Sequence, residues 1–215
     1  ITTIVDNSYS SPLFQQPISL GADMVVHSAT KYLSGHSDVV AGVLCGAKER
    51  IKKIFESELM TLGAIISPND AWLLLKGLRT LQLRVERSAA SGKKVVEFLQ
   101  THPKVKKIYY PFITDHAQYE LAKKQMSNCG GMFSVLLKAE KMQEVENFCN
   151  NAKRFLLACS WGGYESLIFP ACTLYNSQNY DSSSNYLPWN LVRIYIGLEE
   201  PELLIEDLKG ALERM

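Results

Sequence analysis

Apolar and polar positions follow two rhythms along this chain. Short runs dominated by Val, Ile and Leu stand between clusters of Gly, Pro, Ser and Asn, and longer stretches return an apolar residue every third or fourth place. Residues 2–5 read as a strand with Asp6 and Asn7 at its C-terminal end, and residues 23–28 (DMVVHS) and 39–46 (VVAGVLCG) as two more. Between the first two lies SSPLFQQPISLGA, a proline-containing connection with a short helical patch. Residues 47–60 carry Ile51, Ile54, Phe55 and Leu59 at helical spacing, which predicts an amphipathic helix. Ser67 then stands as an N-cap before Pro68 at the first helical position, opening a long helical pattern that His102 and Pro103 stop, with a bend expected at Gly77 or Gly92.

Beyond that helix the order changes. Residues 105–110, 130–138, 154–160 and 190–198 read as strands, separated by helices over 116–126 and 141–151. A last helix over 201–215 aligns Leu203, Leu204, Leu208, Ala211 and Leu212. Strand and helix alternating in the first part predict an α/β class with a largely parallel sheet, and grouped strands with helices to one side predict a smaller α+β unit after it. The expected division is 1–78 and 79–215, near Leu78 inside the long helix. The first residues, ITTIVDN, lack an initiator methionine and begin inside a β-branched run, so the chain is expected to be a fragment or processed piece of something longer.

Composition narrows the function. The 215 residues are 47% hydrophobic and 21% charged with a formal net charge of +1, which leaves no basic footprint for nucleic acid. No apolar run approaches the ~20 residues of a membrane span, and no signal peptide opens the chain. The five cysteines (Cys45, Cys129, Cys149, Cys159, Cys172) show no CxxC or Cys/His metal spacing, so reduced thiols in a cytoplasmic protein are expected, and no metal.

Candidate chemistry gathers in HSATKYLSGHSD, residues 27–38, where Lys31 stands between small hydroxyl residues and a glycine turn, directly after a buried run. A lysine is a nucleophile only as the neutral amine, which needs desolvation or a neighbouring cation. Ser28 and Thr30, with the amides of the turn, can hold a phosphate beside that amine, and Asp6, at the end of the neighbouring strand, can hold a pyridinium nitrogen protonated. Amine, phosphate cradle and carboxylate are what pyridoxal phosphate (PLP) requires. The residues permit this without selecting it, because Ser and Thr beside a turn usually satisfy backbone. Arg193 lies in an apolar strand pattern and needs an acceptor; a structural carboxylate such as Glu165 and a substrate carboxylate suit it equally. His27 and His36 flank the lysine, but a histidine beside a turn is more often a hydrogen-bonding residue than a catalyst.

The run DNSYSSPLFQQPISLGADMVVHSATKYLSGHSDVVAG resembles the PLP-attachment region of the Cys/Met-metabolism enzymes, the cystathionine lyases, cystathionine gamma-synthase and methionine gamma-lyase. Ser8 stands where the family has threonine. SPNDAWLLLKGLRTLQLRVERS, GGMFSVLL, SWGGYESL and NLVRIYIGLEEPELLIEDL continue the likeness over essentially the whole chain, though only over the C-terminal part of the family's length. The resemblance implies the PLP-dependent aminotransferase-like fold (fold type I), here part of the large cofactor domain plus the smaller C-terminal domain. It makes Lys31 the lysine bonded to the cofactor and the base, Asp6 the pyridinium partner, Ser28 and Thr30 phosphate ligands, and Arg193 with Ser160 the grip on the substrate's α-carboxylate. Trp161, in SWGGYESL, resembles the bacterial cystathionine beta-lyases, whereas HSATKYLSGHSD looks closer to the gamma branch and FPACTLYNSQNY departs from the gamma-type pattern. The implied function is beta-elimination of cystathionine, a sulfur-containing amino acid, with gamma-lyase, gamma-synthase or methionine gamma-lyase chemistry as the alternative. A homotetramer of dimers that share active sites is implied for the intact protein. A non-catalytic oligomerisation module is the reading from another class; this piece alone is expected to be inactive, with a partial site and an exposed sheet edge.

Overall fold

The computed structural model describes residues 1–175 and 187–215. Two sheets form. In the first, β1 (Ile4–Asp6), β2 (Met24–Ser28) and β3 (Gly42–Gly46) lie in that order. β1 pairs with β2 in parallel, the connection holding α1 (Ser11–Phe14) and a 3₁₀ turn at Pro17–Leu20, as the proline-containing segment predicts. β3, however, runs antiparallel to β2. A parallel return needs a crossover, usually a helix; here the intervening segment stays a tight loop, closed by Thr30 N to Ala41 O at 3.2 Å. β1 is an edge strand, and Ile4 is exposed on it.

The expected helix over 47–60 forms as α2 (Lys48–Ile54), a π-helical turn at Phe55–Leu59 and α3 (Met60–Leu62). Its apolar stripe is not buried: Ile51, Ile54, Phe55 and Leu59 line an open groove with Val40, Leu44 and Ile65. The long helix begins where the sequence predicts, with Ser67 Oγ accepting from Asp70 N at 3.1 Å, and gives α4 (Pro68–Arg79) and α5 (Leu81–Gln100). The break falls at Thr80, not at either glycine. Gly77 serves close packing instead: a Cβ there would lie 2.3 Å from Ser34 O, so α4 rests directly on the loop that follows Lys31.

The second sheet has the order β4–β5–β8–β7–β6, from β4 (Val105–Tyr109), β5 (Met132–Leu137), β6 (Leu156–Leu157), β7 (Leu167–Pro170) and β8 (Leu191–Tyr195). Neighbours are antiparallel except β6 and β7. The strand expected over 154–160 shrinks to two residues because the chain leaves the ladder at Ala158 to cross above Lys31. Strand β7 escaped the sequence reading: its short run ends in Pro170, which reads as a breaker. Helices α6 (Tyr119–Gln125), α7 (Met142–Asn151), α8 (Cys172–Tyr175) and α9 (Pro201–Glu213) complete the described elements. The remainder of FPACTLYNSQNY after Tyr175 lies outside the described residues.

Leu99 of α5, Val145 and Phe148 of α7, and Leu204, Leu208 and Leu212 of α9 cover one face of this sheet against Phe133, Val135, Ile168, Val192 and Ile194. Leu203 is partly exposed; Pro201, Leu204, Leu208, Ala211 and Leu212 make the buried stripe, and Leu203 projects to one side of it. Period-two alternation sends the next residues to the other face: Met132, Leu167 and Tyr195 meet Ala29, Tyr32 and Leu33 of the lysine loop. The second sheet is therefore the floor on which that loop sits. No helix among the described residues is long and apolar enough to cross a membrane, and no group of three or more His, Cys, Asp or Glu among them is placed to hold a metal ion. All five cysteines are free thiols; Cys129, Cys149 and Cys172 are buried, while Cys45 and Cys159 are exposed.

Candidate active site

The site grows from the C-terminal ends of β1 and β2. Asp6 closes β1, and its Oδ1 accepts from Ser8 N at 2.9 Å and Ser8 Oγ at 2.6 Å. Ser8 Oγ also accepts from Ser28 N at 2.6 Å, tying the end of β1 to the end of β2. Ser28 O then accepts from Lys31 N at 3.0 Å, which curls the chain so that Lys31 follows the strand by one turn. One buried serine thus fixes the aspartate against the loop that carries the lysine. The hydrogen bond from the Ser8 hydroxyl, then that from its amide, draws the Asp6 carboxyl below its ordinary range against a smaller opposing effect of burial.

That carboxyl's share of stability is present above its unfolded value of about 3.9 and is lost as the pH falls through the lower folded value. Ser8→Ala should therefore raise the titration midpoint of Asp6, read by carbon NMR of its side chain. It should also cost about 1–2 kcal/mol in denaturant titrations at neutral pH, because Ser28 N–H loses its acceptor.

From the other side comes the SWGG turn. Lys31 Nζ donates to Ser160 Oγ at 3.0 Å and lies 5.6 Å from the centre of the Trp161 ring. Ser160 accepts that bond and keeps its own proton for another acceptor. Trp161 lies at the margin of the core: half-buried and packed against the Ala29–Tyr32–Leu33 cluster, it stands edge-on to Tyr32 and Tyr9, with ring centres 5.5 and 6.5 Å away. Gly162 makes this approach possible, with φ at +86° and room for no Cβ, which would fall 2.8 Å from Tyr32 N.

Arg193 sits mid-strand on β8, opposite Ser134 and Phe169, on the same face as Tyr195. Its Nη2 donates to Cys159 O, and the guanidinium carbon lies 5.5 Å from the centre of the Phe169 ring. Glu165 is not its partner; Glu165 Oε1 accepts from Ser37 Oγ at 2.6 Å, leaving Arg193 with no carboxylate among the described residues. Burial draws the Arg193 guanidinium below its ordinary range, the direction expected of a cation without an anion.

The two proposed phosphate ligands differ. Ser28 is half-buried and its hydroxyl is bonded to none of the described residues, whereas Thr30 Oγ1 accepts from Ala41 N at 3.0 Å and donates to Ala41 O at 3.3 Å. His36 Nδ1 faces Ser34 O at 2.6 Å, the backbone contact expected of it. His27 Nδ1 is buried without a partner, so the backbone contact expected of His27 is not made there, and burial lowers its pKa.

As a set these groups fit PLP. Among the described residues Asp6 retains one carboxylate oxygen that accepts from none, Ser28 offers an uncommitted hydroxyl, and the lysine amine meets one hydroxyl and the Trp161 ring. The sequence reading names Ser8 only as a replacement for the family threonine and assigns Arg84 nothing, while Tyr32, whose ring the sequence offers as part of the lysine's apolar surroundings, is indeed buried beside it. A hydroxyl residue two places after an aspartate is the mark of an Asx turn and would have found Ser8. Arg84 sits beside Val85 on the apolar stripe that joins Leu81 to Ser88, a position for a buried side chain.

The family model described as "Cys/Met metabolism PLP-dependent enzyme" matches residues 1–213. The chain is 44% identical over 214 residues to the cystathionine beta-lyase of Lactococcus lactis subsp. cremoris (strain MG1363), covering 99% of this chain and 56% of that protein. To the cystathionine gamma-lyase of Bacillus subtilis (strain 168) it is 41% identical over 217 residues, covering 100% of this chain and 57% of that protein. The solved structure of metB from Corynebacterium glutamicum superposes with a TM-score of 0.90 at 38% identity, covering 99% of this chain and 55% of that one. The chain spans about half the length of the curated relatives it matches.

Proposed function

We propose that this chain, which belongs to the Cys/Met metabolism PLP-dependent enzyme family, carries the lysine-bearing part of a carbon–sulfur lyase that cleaves cystathionine by beta-elimination. The observation that supports this most is one continuous set of contacts: Asp6 to Ser8, Ser8 to Ser28, Ser28 to Lys31, Lys31 to Ser160, and the Cys159 carbonyl to an arginine that no described carboxylate neutralises.

Arg193 binds the substrate α-carboxylate, which exchanges a single carbonyl contact for a charge-assisted pair. Ser160 donates its free proton to the same carboxylate while it accepts from Lys31, so the amine is held beside the α-carbon. Lys31 takes the α-proton as general base. Asp6, kept ionised by Ser8, would hold a proton on the ring nitrogen of bound PLP, and the Ser28 hydroxyl would help hold its phosphate. Thr30 joins that phosphate if its bond to Ala41 O gives way. When bound, PLP supplies an electron-poor ring that takes up the electron pair left at the α-carbon. The bond between the β-carbon and sulfur then breaks, the proton taken by Lys31 passes to the leaving sulfur to give homocysteine, and the three-carbon enamine left behind takes up one water to give pyruvate and ammonia.

Trp161 beside the lysine amine favours the beta reaction over the gamma reaction, since SWGGYESL is the form that resembles beta-lyases. Incubating the complete protein with cystathionine and identifying the keto acid tests this. Pyruvate is expected; 2-oxobutyrate would move the assignment to gamma-lyase. The homotetramer and the cytoplasmic setting implied by the resemblance are proposals of the same kind, checked by light scattering and by fractionation.

A further inference from the structure

The contacts just described position Lys31 from its side chain and from its N-terminal side. On its C-terminal side the loop is held by a residue with no part in that account. Arg84, on the second turn of α5, is buried, and its guanidinium is a cation with no carboxylate partner among the described residues. All three nitrogens donate: Nη1 to Tyr32 O at 2.9 Å, Nη2 to Gly77 O at 2.7 Å and Nε to Thr80 Oγ1 at 3.0 Å. Two of those acceptors lie at the break between α4 and α5, and the third is the carbonyl of the residue immediately after Lys31.

A buried, unpaired arginine is costly, and stability alone gives no reason for it here. An apolar side chain at that position would fill the space, but it would leave the Tyr32 carbonyl without a donor among the described residues, whereas Gly77 O would keep Thr80 N at 3.1 Å and Thr80 Oγ1 at 3.2 Å. The surroundings are shaped to this one group. Gly35, at φ +68°, admits the guanidinium where a Cβ would fall 1.6 Å from Nη1, and Gly77 lets α4 reach the carbonyls of Leu33 and Ser34. Tyr32 is meanwhile fixed at its far end, where its hydroxyl accepts from Gly131 N at 3.1 Å and its ring meets Trp161 and Tyr195.

We infer that Arg84 is a positioning residue for Lys31, locking the Tyr32 carbonyl to the α4–α5 break so that the neighbouring amine is presented at a fixed point over the second sheet. This rests on the proposal that Lys31 carries the cofactor and acts as base. A planar fork reaches three acceptors at set angles, which an ammonium cannot do, so Arg84→Lys retains the charge and loses the clamp. Displacing a reacting group by about 1 Å costs on the order of 100-fold in rate. The substrate carboxylate is bound by Arg193 and Ser160, on separate elements, so its affinity is expected to be spared.

The test uses the complete protein with added PLP. Wild type, Arg84→Lys, Arg84→Met and Thr80→Val are compared for kcat and KM with cystathionine, for borohydride-trapped pyridoxyl label at Lys31 by peptide mapping, and for folded fraction. Both Arg84 variants should lose about 100-fold in kcat per folded molecule, with KM within about threefold and a lower label yield at limiting PLP. Thr80→Val, which removes one of three contacts, should lose kcat several-fold. If label and kcat in folded Arg84 variants match wild type, or if KM rises in step with the fall in kcat, the positioning role is overturned. If neither Arg84 variant folds, Thr80→Val decides, and an unchanged kcat overturns it. A wild-type protein without label at Lys31 overturns the underlying function as well, which separates that failure from failure of the clamp.

Discussion

Lys31→Ala in the complete protein should lower turnover of cystathionine by at least about 10⁴-fold and abolish borohydride labelling by PLP, with the thermal midpoint of the cofactor-free protein unmoved. The size follows from asking one nitrogen for two tasks, covalent attachment and proton removal, neither of which Ser160, with a hydroxyl of much weaker basicity, can take over. The unmoved midpoint follows from how little the lysine side chain holds: one hydroxyl at 3.0 Å and the face of Trp161. Lys31→Arg should fare no better, since a guanidinium stays protonated. A loss below about tenfold, or a fall in thermal midpoint that accounts for the loss, would refute the assignment.

The sequence exposes this lysine because its neighbourhood is local. Asp6, Ser28, Thr30 and Lys31 sit at or just beyond the ends of adjacent strands, and the apolar runs that make β1 and β2 also place those ends side by side. Where the geometry depends on distant partners, the letters lose power. Nothing near Val43 says that β3 turns antiparallel; the Thr30–Ala41 closure decides that. The stripe Ile51, Ile54, Phe55 and Leu59 predicts an amphipathic helix, which forms, yet periodicity reports a wish for cover and not its presence among the described residues. The α4–α5 break falls at Thr80 because Thr80 takes a non-helical φ of −110° and its hydroxyl receives Arg84 Nε, while both glycines that look like hinges are there for close contact. Apart from the family resemblance Trp161 reads as a core residue; its placement against the lysine comes from Gly162, whose left-handed turn is a feature of three dimensions. For Arg193 the sequence leaves Glu165 and a substrate carboxylate equal; that Glu165 accepts from Ser37 and not from Arg193 supports the substrate reading, and depends on a contact 128 residues apart in the chain.

That last contact sets the second large expectation. Arg193→Ala in the complete protein should lower kcat/KM for cystathionine by about 10²–10³-fold, chiefly through KM, the ~3–4 kcal/mol of a lost charge-assisted pair in a half-buried setting. Arg193→Lys should recover little, because a point charge cannot reproduce the planar fork. A substrate analogue that lacks the α-carboxylate separates recognition from scaffolding. Wild type should handle it as poorly as Arg193→Ala handles cystathionine, and the mutation should add almost nothing to that deficit, as a double-mutant cycle between enzyme and substrate requires. Were Arg193→Ala to impair the analogue and cystathionine by the same factor, the arginine would be a strut for the Cys159 carbonyl and the SWGG turn. The carboxylate would then be bound elsewhere, and Ser160, on that same turn, would lose its reason for keeping a free proton.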